Sequence, residues 1–428
     1  MRIVTRFACL ALLLACAPAL AQDVQVAVEK LNDHLFKLST AGPGGSAVCV
    51  ASTGADGILL VDTGVESAAP GLKEALGKLG GKLAAIILTH EHADHTGGLA
   101  LLGHGVPIYA HPKVRGQLTS GFNVLRELPE EVLPDKPVDK ITTLRFNGED
   151  VRIIPVPGGH SDTDLVVHFT GSKIACLGGF GDPARFPYVD RAKGGAVAPY
   201  PDLAARLLEV LPADTRLIPG HGEAADMAAL KTFREMLVRT THDAQQALVS
   251  GKDPKTLDAK ELFKGFESFG QGFVTEERWL KFMIADDPRL SDKVPAKKQS
   301  LVEPLHEALK AGGASAVVAK YRELKASAPD AYDFNENLLN AFGYHLLLNK
   351  NRPADAVVIL KLNVEEYPEA FNPYDSLGEA YLANGQRDLA IQSYRKALEL
   401  NPGFDNAKAQ LEKIQGMGAK EKEAAGKK

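Results

Sequence analysis

Cysteine is scarce in this chain. Cys9, Cys16, Cys49 and Cys176 are the only four in 428 residues, too few for a scaffold held together by disulfides. Positive charge is not in excess either. Lysine and arginine number 49 against 54 aspartates and glutamates, a formal net charge of −5. That balance argues against a nucleic-acid partner. No apolar run is long and clean enough to span a membrane. A G-x-S-x-G nucleophile elbow is also absent, which removes the usual sign of a serine hydrolase.

What is present is ordinary globular protein, 45% apolar and 24% charged. The length suggests two or three domains of roughly 150 residues each. At the start, Arg2 and Arg6 flank the beginning of an apolar stretch that includes Phe7 to Leu14. Ala19-Leu20-Ala21 then forms an A-x-A cleavage site before Gln22. Residues 1–21 read as a signal peptide, and the mature protein is expected in the periplasm or secreted. The alternative is a lipoprotein anchored at Cys16, after Leu13-Leu14-Ala15. Cys49 and Cys176 remain after cleavage. They either pair, as export permits, or stay as two separate buried thiols.

From Gln22 onward, short β-like runs alternate with helical patterns. Strands are expected at Gly57 to Asp62, Leu83 to Leu88, Val106 to Ala110, Val151 to Val156, Leu165 to Phe169, Lys173 to Leu177 and Arg216 to Ile218. A helix is expected over Pro70 to Leu79. Another, Glu276 to Ala285, is capped by Thr275 with Trp279 and Phe282 on its apolar side. The alternation indicates a layered α/β domain, here placed at 22–298.

From residue 299 to 415 the pattern is helical throughout. Ala356 and Ala390 precede Pro368 and Pro402 by the same interval, and the two units are offset by 34 residues. Gly343-Tyr344 and Gly378-Glu379 hold similar places in the preceding helices. The period and Leu377-Gly378-x-x-Tyr381 resemble tetratricopeptide repeats. A helical pair over Leu301 to Ser327 precedes them, and 406–414 would close the stack. Such units recruit a protein partner, support self-association, or only cover the first domain. Residues 416–428 are small and charged, and disorder is expected.

The densest chemistry is Thr89-His90-Glu91-His92-Ala93-Asp94-His95-Thr96. Four ligand-type side chains lie within six residues, directly after an apolar strand. Imidazole and carboxylate together suit zinc, and also accept iron or manganese. This motif resembles the H-x-H-x-D-H signature of the metallo-β-lactamase superfamily. Val61-Asp62-Thr63-Gly64, Gly159-His160-Ser161-Asp162 and Pro219-Gly220-His221-Gly222 match later and earlier motifs of that family, in order. The resemblance runs from about Val26 to about Asp286.

The resemblance implies a four-layer αββα sandwich with two zinc ions per chain, or one. His90, His92 and His160 would hold the first, and Asp94, His95 and His221 the second. One position departs from the family pattern. A bridging aspartate usually follows the His160 motif, and Gly179 stands there instead; Asp182 is the nearest replacement. The implied chemistry is attack of a metal-bound hydroxide on the carbonyl of a small-molecule ester, thioester, lactone or amide. Asp94 would orient the nucleophile. The alternatives are a β-lactam hydrolase, and an interaction scaffold with a degraded metal site. Arg185 and Tyr188 either touch substrate or only pack their loop. His111 is the one further histidine placed near the site.

Overall fold

The computed structural model describes residues 24–42, 45–120, 128–287, 299–404 and 406–414. The signal segment 1–21 and the tail 416–428 lie outside the described residues. Twelve strands are described, in two sheets. The first runs in chain order: β1 Gln25–Lys30, β2 Leu35–Gly42, β3 Gly45–Gly54, β4 Gly57–Val61, β5 Leu83–Ile87, β6 Ile108–Ala110 and β7 Lys136–Pro137. The second contains β8 Thr142–Phe146, β9 Glu149–Pro155, β10 Leu165–Phe169, β11 Ile174–Gly178 and β12 Arg216–Pro219, ordered β12-β11-β10-β9-β8. β4 to β7 pair in parallel, as do β11 and β12.

The layering follows from side-chain alternation. A strand sends successive side chains to opposite faces. In β4, Ile58 and Leu60 join a core with Leu72 and Leu76 of the helix Ala69–Leu79. Leu59 and Val61 point the other way, into a core shared with Ile153, Val167 and Phe169 of the second sheet. β11 repeats the arrangement. Ile174 and Cys176 meet the first sheet, while Ala175 and Leu177 pack on the helices Tyr200–Val210 and Met227–Val249. The order is therefore helices, sheet, sheet, helices. Strands buried on both faces read as near-continuous apolar runs, which is why β4, β5 and β11, and β10 despite its buried His168, stand out in the sequence.

The helix Glu276–Asp286 packs on the outer side of the second sheet. Thr275 caps it by accepting from the Arg278 amide. Trp279 is fully buried, stacks on Phe186 at 5.9 Å and donates to Thr240 Oγ1 at 3.0 Å.

The helices Glu336–Tyr344, Pro353–Glu366, Phe371–Ala383 and Arg387–Leu400 follow, with 406–414 also helical. Before them, Val302–Ser327 breaks at Gly312 and Gly313, so the expected pair is present. A Cβ on Gly378 would lie 2.8 Å from the Tyr394 ring, and one on Gly343 would lie 2.5 Å from Leu360. Both glycines let the paired helices approach closely.

Cys49 and Cys176 do not form a disulfide. Both are free and buried, one facing the outer helices from β3 and one between the sheets from β11. Burial pushes both thiols up, so they stay protonated and unreactive.

Candidate metal centre

Donors gather beyond the ends of β5, β9 and β12, and a supporting aspartate beyond β4. Asp62 follows β4 directly and holds a left-handed backbone, φ +60°. Its amide donates to the Ile87 carbonyl on β5 at 2.8 Å. From there its buried carboxylate organises the ligand loop. Oδ1 accepts from the Thr89 amide at 2.8 Å. Oδ2 accepts from the Thr89 hydroxyl and from His95 Nδ1, both at 2.8 Å.

The hydrogen bonds decide which nitrogen each histidine can offer a metal. The Thr89 hydroxyl spends its proton on Asp62, so it accepts from His90 Nδ1 at 2.9 Å. His160 Nδ1 donates to Asp164 at 2.9 Å. His92 Nε2 donates to Asp190 at 2.9 Å. The free lone pairs are then Nε2 of His90, His95 and His160, and Nδ1 of His92. Such outer partners fix tautomer and ring orientation in metal sites.

Two groups of donors result. His90, His92 and His160 form one, and Asp94, His95 and His221 the other. In the first, the ring centroids lie 4.7 to 4.8 Å apart. In the second, His221 Nε2 is 3.2 Å from both His95 Nε2 and Asp94 Oδ2, and the latter two atoms are 3.8 Å apart. A tetrahedral zinc with bonds near 2.0–2.1 Å spaces its ligands about 3.3 Å apart. The second group already has that spacing. The His90 and His95 rings, 4.3 Å apart, join the two groups.

The local charges favour a cation. Burial, and then His95 and His160, push His90 down and keep it neutral. Burial resists ionisation of Asp94, yet His95 and His221 hold its carboxyl well below the usual carboxylate range. Burial also opposes a charged His95, but Asp94 and Asp62 outweigh it and push its pKa up to about 9. Without a metal, the second group therefore holds a proton that a metal must displace. His92 is raised against the effect of burial, mainly by its bond to Asp190.

The remaining candidates stand apart. Asp182 belongs to neither group. Its carboxylate accepts from the Ala184 amide at 2.9 Å and pairs with Arg185 at 3.2 Å. Arg185 is thus engaged in its own loop. A Cβ on Gly179 would fall 2.3 Å from His160 Nδ1 and 2.7 Å from Asp164 Oδ1. The space that a side chain at 179 would need is filled here by the His160–Asp164 pair. His111 accepts from the Lys113 amide and caps the helix Pro112–Leu118. Tyr188 does reach the site, with its ring 6.0 Å from His160 and 6.5 Å from His92.

Sequence reasoning missed Thr89, Glu91, Asp164 and Asp190 as supporting residues. Glu91 is fully buried and accepts from Thr163 at 2.5 Å, tying the His90 loop to the His160 loop. Thr89 and Glu91 adjoin ligands and were legible by proximity. Asp190, 98 residues from its partner His92, had no such signal.

The description "Metallo-beta-lactamase superfamily" matches residues 41–263, and a tetratricopeptide repeat matches 376–404. The chain belongs to the metallo-β-lactamase superfamily. As a superfamily hydrolase it is similar to two curated proteins named hydroxyacylglutathione hydrolase. The one from Gloeobacter violaceus is 36% identical over 101 residues, 23% of this chain and 34% of the relative. The one from Shewanella oneidensis is 29% identical over 175 residues, 36% of this chain and 58% of the relative. The chain thus matches well under two thirds of either length. A solved metallo-beta-lactamase from Pontibacter korlensis is 20% identical, with a TM-score of 0.43, over 50% of this chain and 99% of that one. The superfamily domain is followed by the helical region that carries the repeat. Among the described residues no helix is long and apolar enough to cross a membrane.

Proposed function

We propose that this protein is an exported zinc hydrolase that cleaves an acyl bond of a small molecule: an ester, thioester, lactone or amide. The observation that carries the reading is the pair of preorganised donor groups, each histidine in the first held in one tautomer by its own partner. Nitrogen-rich donors at tetrahedral spacing fit zinc better than a hard, oxygen-seeking cation. Zinc in such a site lowers the pKa of bound water towards neutrality and polarises a carbonyl.

The chain's own residues do the rest. His90, His92 and His160 would hold the first ion, and Asp94, His95 and His221 the second. Asp94 stays ionised, so the carboxylate oxygen not given to the ion would orient the attacking water as an acceptor and later carry a proton to the leaving group. Asp62, Asp164 and Asp190 hold the imidazoles still. Asp182 is left to its loop, and the two ions would be held by the six donors.

Among the acyl bonds, the names of the two curated relatives favour an acyl–glutathione type of substrate, and export favours β-lactams as the second choice. The amino-terminal motif supports release into the periplasm, with anchoring at Cys16 as the other route. The helical repeats support a protein partner or self-association.

The deciding experiment is elemental analysis of protein purified without chelators, followed by turnover of thioesters, lactones and β-lactams. Two zinc ions per chain with turnover of one class supports the proposal. A folded protein that takes up no zinc and turns over nothing would overturn it. Cell fractionation tests export, because a cytoplasmic chain retaining residues 1–21 would contradict it.

A further inference from the structure

Beside the first donor group stands a wall that the hydrolysis itself does not use. Tyr188 faces His160 and His92 across 6.0 and 6.5 Å. Phe273 and Phe282 pack edge-on against it at 5.6 and 5.8 Å. Arg278 lies over all three rings, 3.9 Å from Phe273, 5.3 Å from Tyr188 and 5.9 Å from Phe282.

Two features of this wall need a reason. Phe273 is 72% exposed, an open aromatic face beside a polar site. Arg278 is half-buried, yet among the described residues no carboxylate lies within 4.0 Å of it. One guanidinium nitrogen donates to the Phe273 carbonyl at 3.3 Å. Asp190, whose charge acts on Tyr188, is committed to His92. Two arginines in neighbouring segments are paired, Arg185 with Asp182 and Arg191 with Asp286. A guanidinium seated over aromatic rings keeps its remaining in-plane donors free for a planar anion.

We propose that Tyr188, Phe273 and Arg278 form a recognition subsite for a substrate that carries a carboxylate on a flat, unsaturated or aromatic portion. The inference rests on the hydrolase reading and narrows its substrate class to anionic acyl compounds. The acyl bond sits at the donor groups, the flat portion lies along Tyr188 and Phe273, and the carboxylate reaches Arg278. Charge-assisted pairing at a partly desolvated guanidinium accounts for the selectivity.

The test uses the full-length zinc-loaded protein and two thiols, 4-(mercaptomethyl)benzoate and the matching benzamide. Each can ligate zinc through sulfur, and they differ only in the charge at the far end. Binding is read by calorimetry, without turnover. Wild type is expected to bind the acid about tenfold or more tighter than the amide, the scale of one charged hydrogen-bonding contact. Arg278→Met should abolish that preference. Arg278→Lys should retain part of it. Equal binding of acid and amide by wild type overturns the subsite without need of any variant. A preference that survives Arg278→Met overturns the role of this arginine. If neither thiol binds, the zinc-hydrolase reading itself fails and takes the inference with it.

Discussion

Gly179 and His160 compete for one space. A Cβ built on Gly179 would meet Nδ1 of the imidazole at 2.3 Å, with Asp164 Oδ1 at 2.7 Å behind it. The glycine is therefore required by the packing of the first donor group, and its presence is no sign of decay. Restoring the family's usual aspartate by Gly179→Asp should harm the site. Overpacking of this kind costs about 1–3 kcal/mol, and the displaced His160 would weaken zinc binding. Thermal melting and zinc content of the variant check this. A variant with unchanged melting and tighter zinc would show that the loop opens to admit a bridging carboxylate.

Asp62 serves both donor groups at once. It holds His95 directly and His90 through Thr89. Asp62→Asn keeps the size, and asparagine tolerates the left-handed backbone at φ +60°. It offers one acceptor oxygen where three donors converge, and its amide would face a donor. Loss of an outer partner typically costs about 10–100-fold in metal affinity. The loss is expected chiefly at the second group, where His95 is a direct partner. A competitive chelator titration would resolve two zinc affinities. Equal weakening of both would mean that Thr89 transmits as much as the direct bond.

The parts legible in the sequence are those fixed by short-range pattern. β4, β5 and β11 appear as near-continuous apolar runs, and β10 is interrupted only by the buried His168. The six donors were legible because their motifs sit next to strand ends. The antiparallel start of the first sheet was not foreseen. β2 alternates between core and surface, and β3 opens on Gly45 and Ser46 and carries small residues through its length. β8 is an edge strand with no fully buried residue. One signal for it was available: Asn147-Gly148, both at positive φ, forms the two-residue turn that joins β8 to β9. The Arg278 wall was out of reach, because it depends on where a loop and a helix from residues 271–286 meet Tyr188.

The helical region has its own apolar core, with Leu339, Leu360, Leu377 and Tyr394 among its members. None of its buried members belongs to the three cores around the two sheets. Deleting residues 299–428 should therefore leave a folded protein with unchanged zinc content and unchanged kcat/KM on a small substrate. Elemental analysis and steady-state kinetics of the truncated chain check this. A folded truncate that keeps its zinc but loses turnover would show that the repeats complete the substrate site.

A buried carboxylate makes the helical region sensitive to pH. Asp375 is 4% exposed, and its Oδ1 has no hydrogen-bond partner among the described residues. Asn406 donates to Oδ2 at 2.8 Å, and Tyr344 binds the neighbouring Glu379 at 2.8 Å. Burial first, and then Glu379, push the Asp375 pKa up to about 7. The folded state thus holds a proton that the unfolded chain releases near the ordinary value of 3.8. Stability from this proton is fully present below pH 4 and is lost as pH rises towards 7, after which this group adds no further change. Each pKa unit is worth about 1.4 kcal/mol, so the loss is on the order of 4 kcal/mol. Asp375→Asn mimics the protonated form. It should flatten the pH dependence between 4 and 7 and stabilise the helices at pH 8. Denaturant unfolding followed by far-ultraviolet circular dichroism at pH 5 and pH 8 compares the two chains. A variant less stable than wild type at pH 8 would mean that the ionised carboxylate holds Asn406 more strongly than burial penalises it.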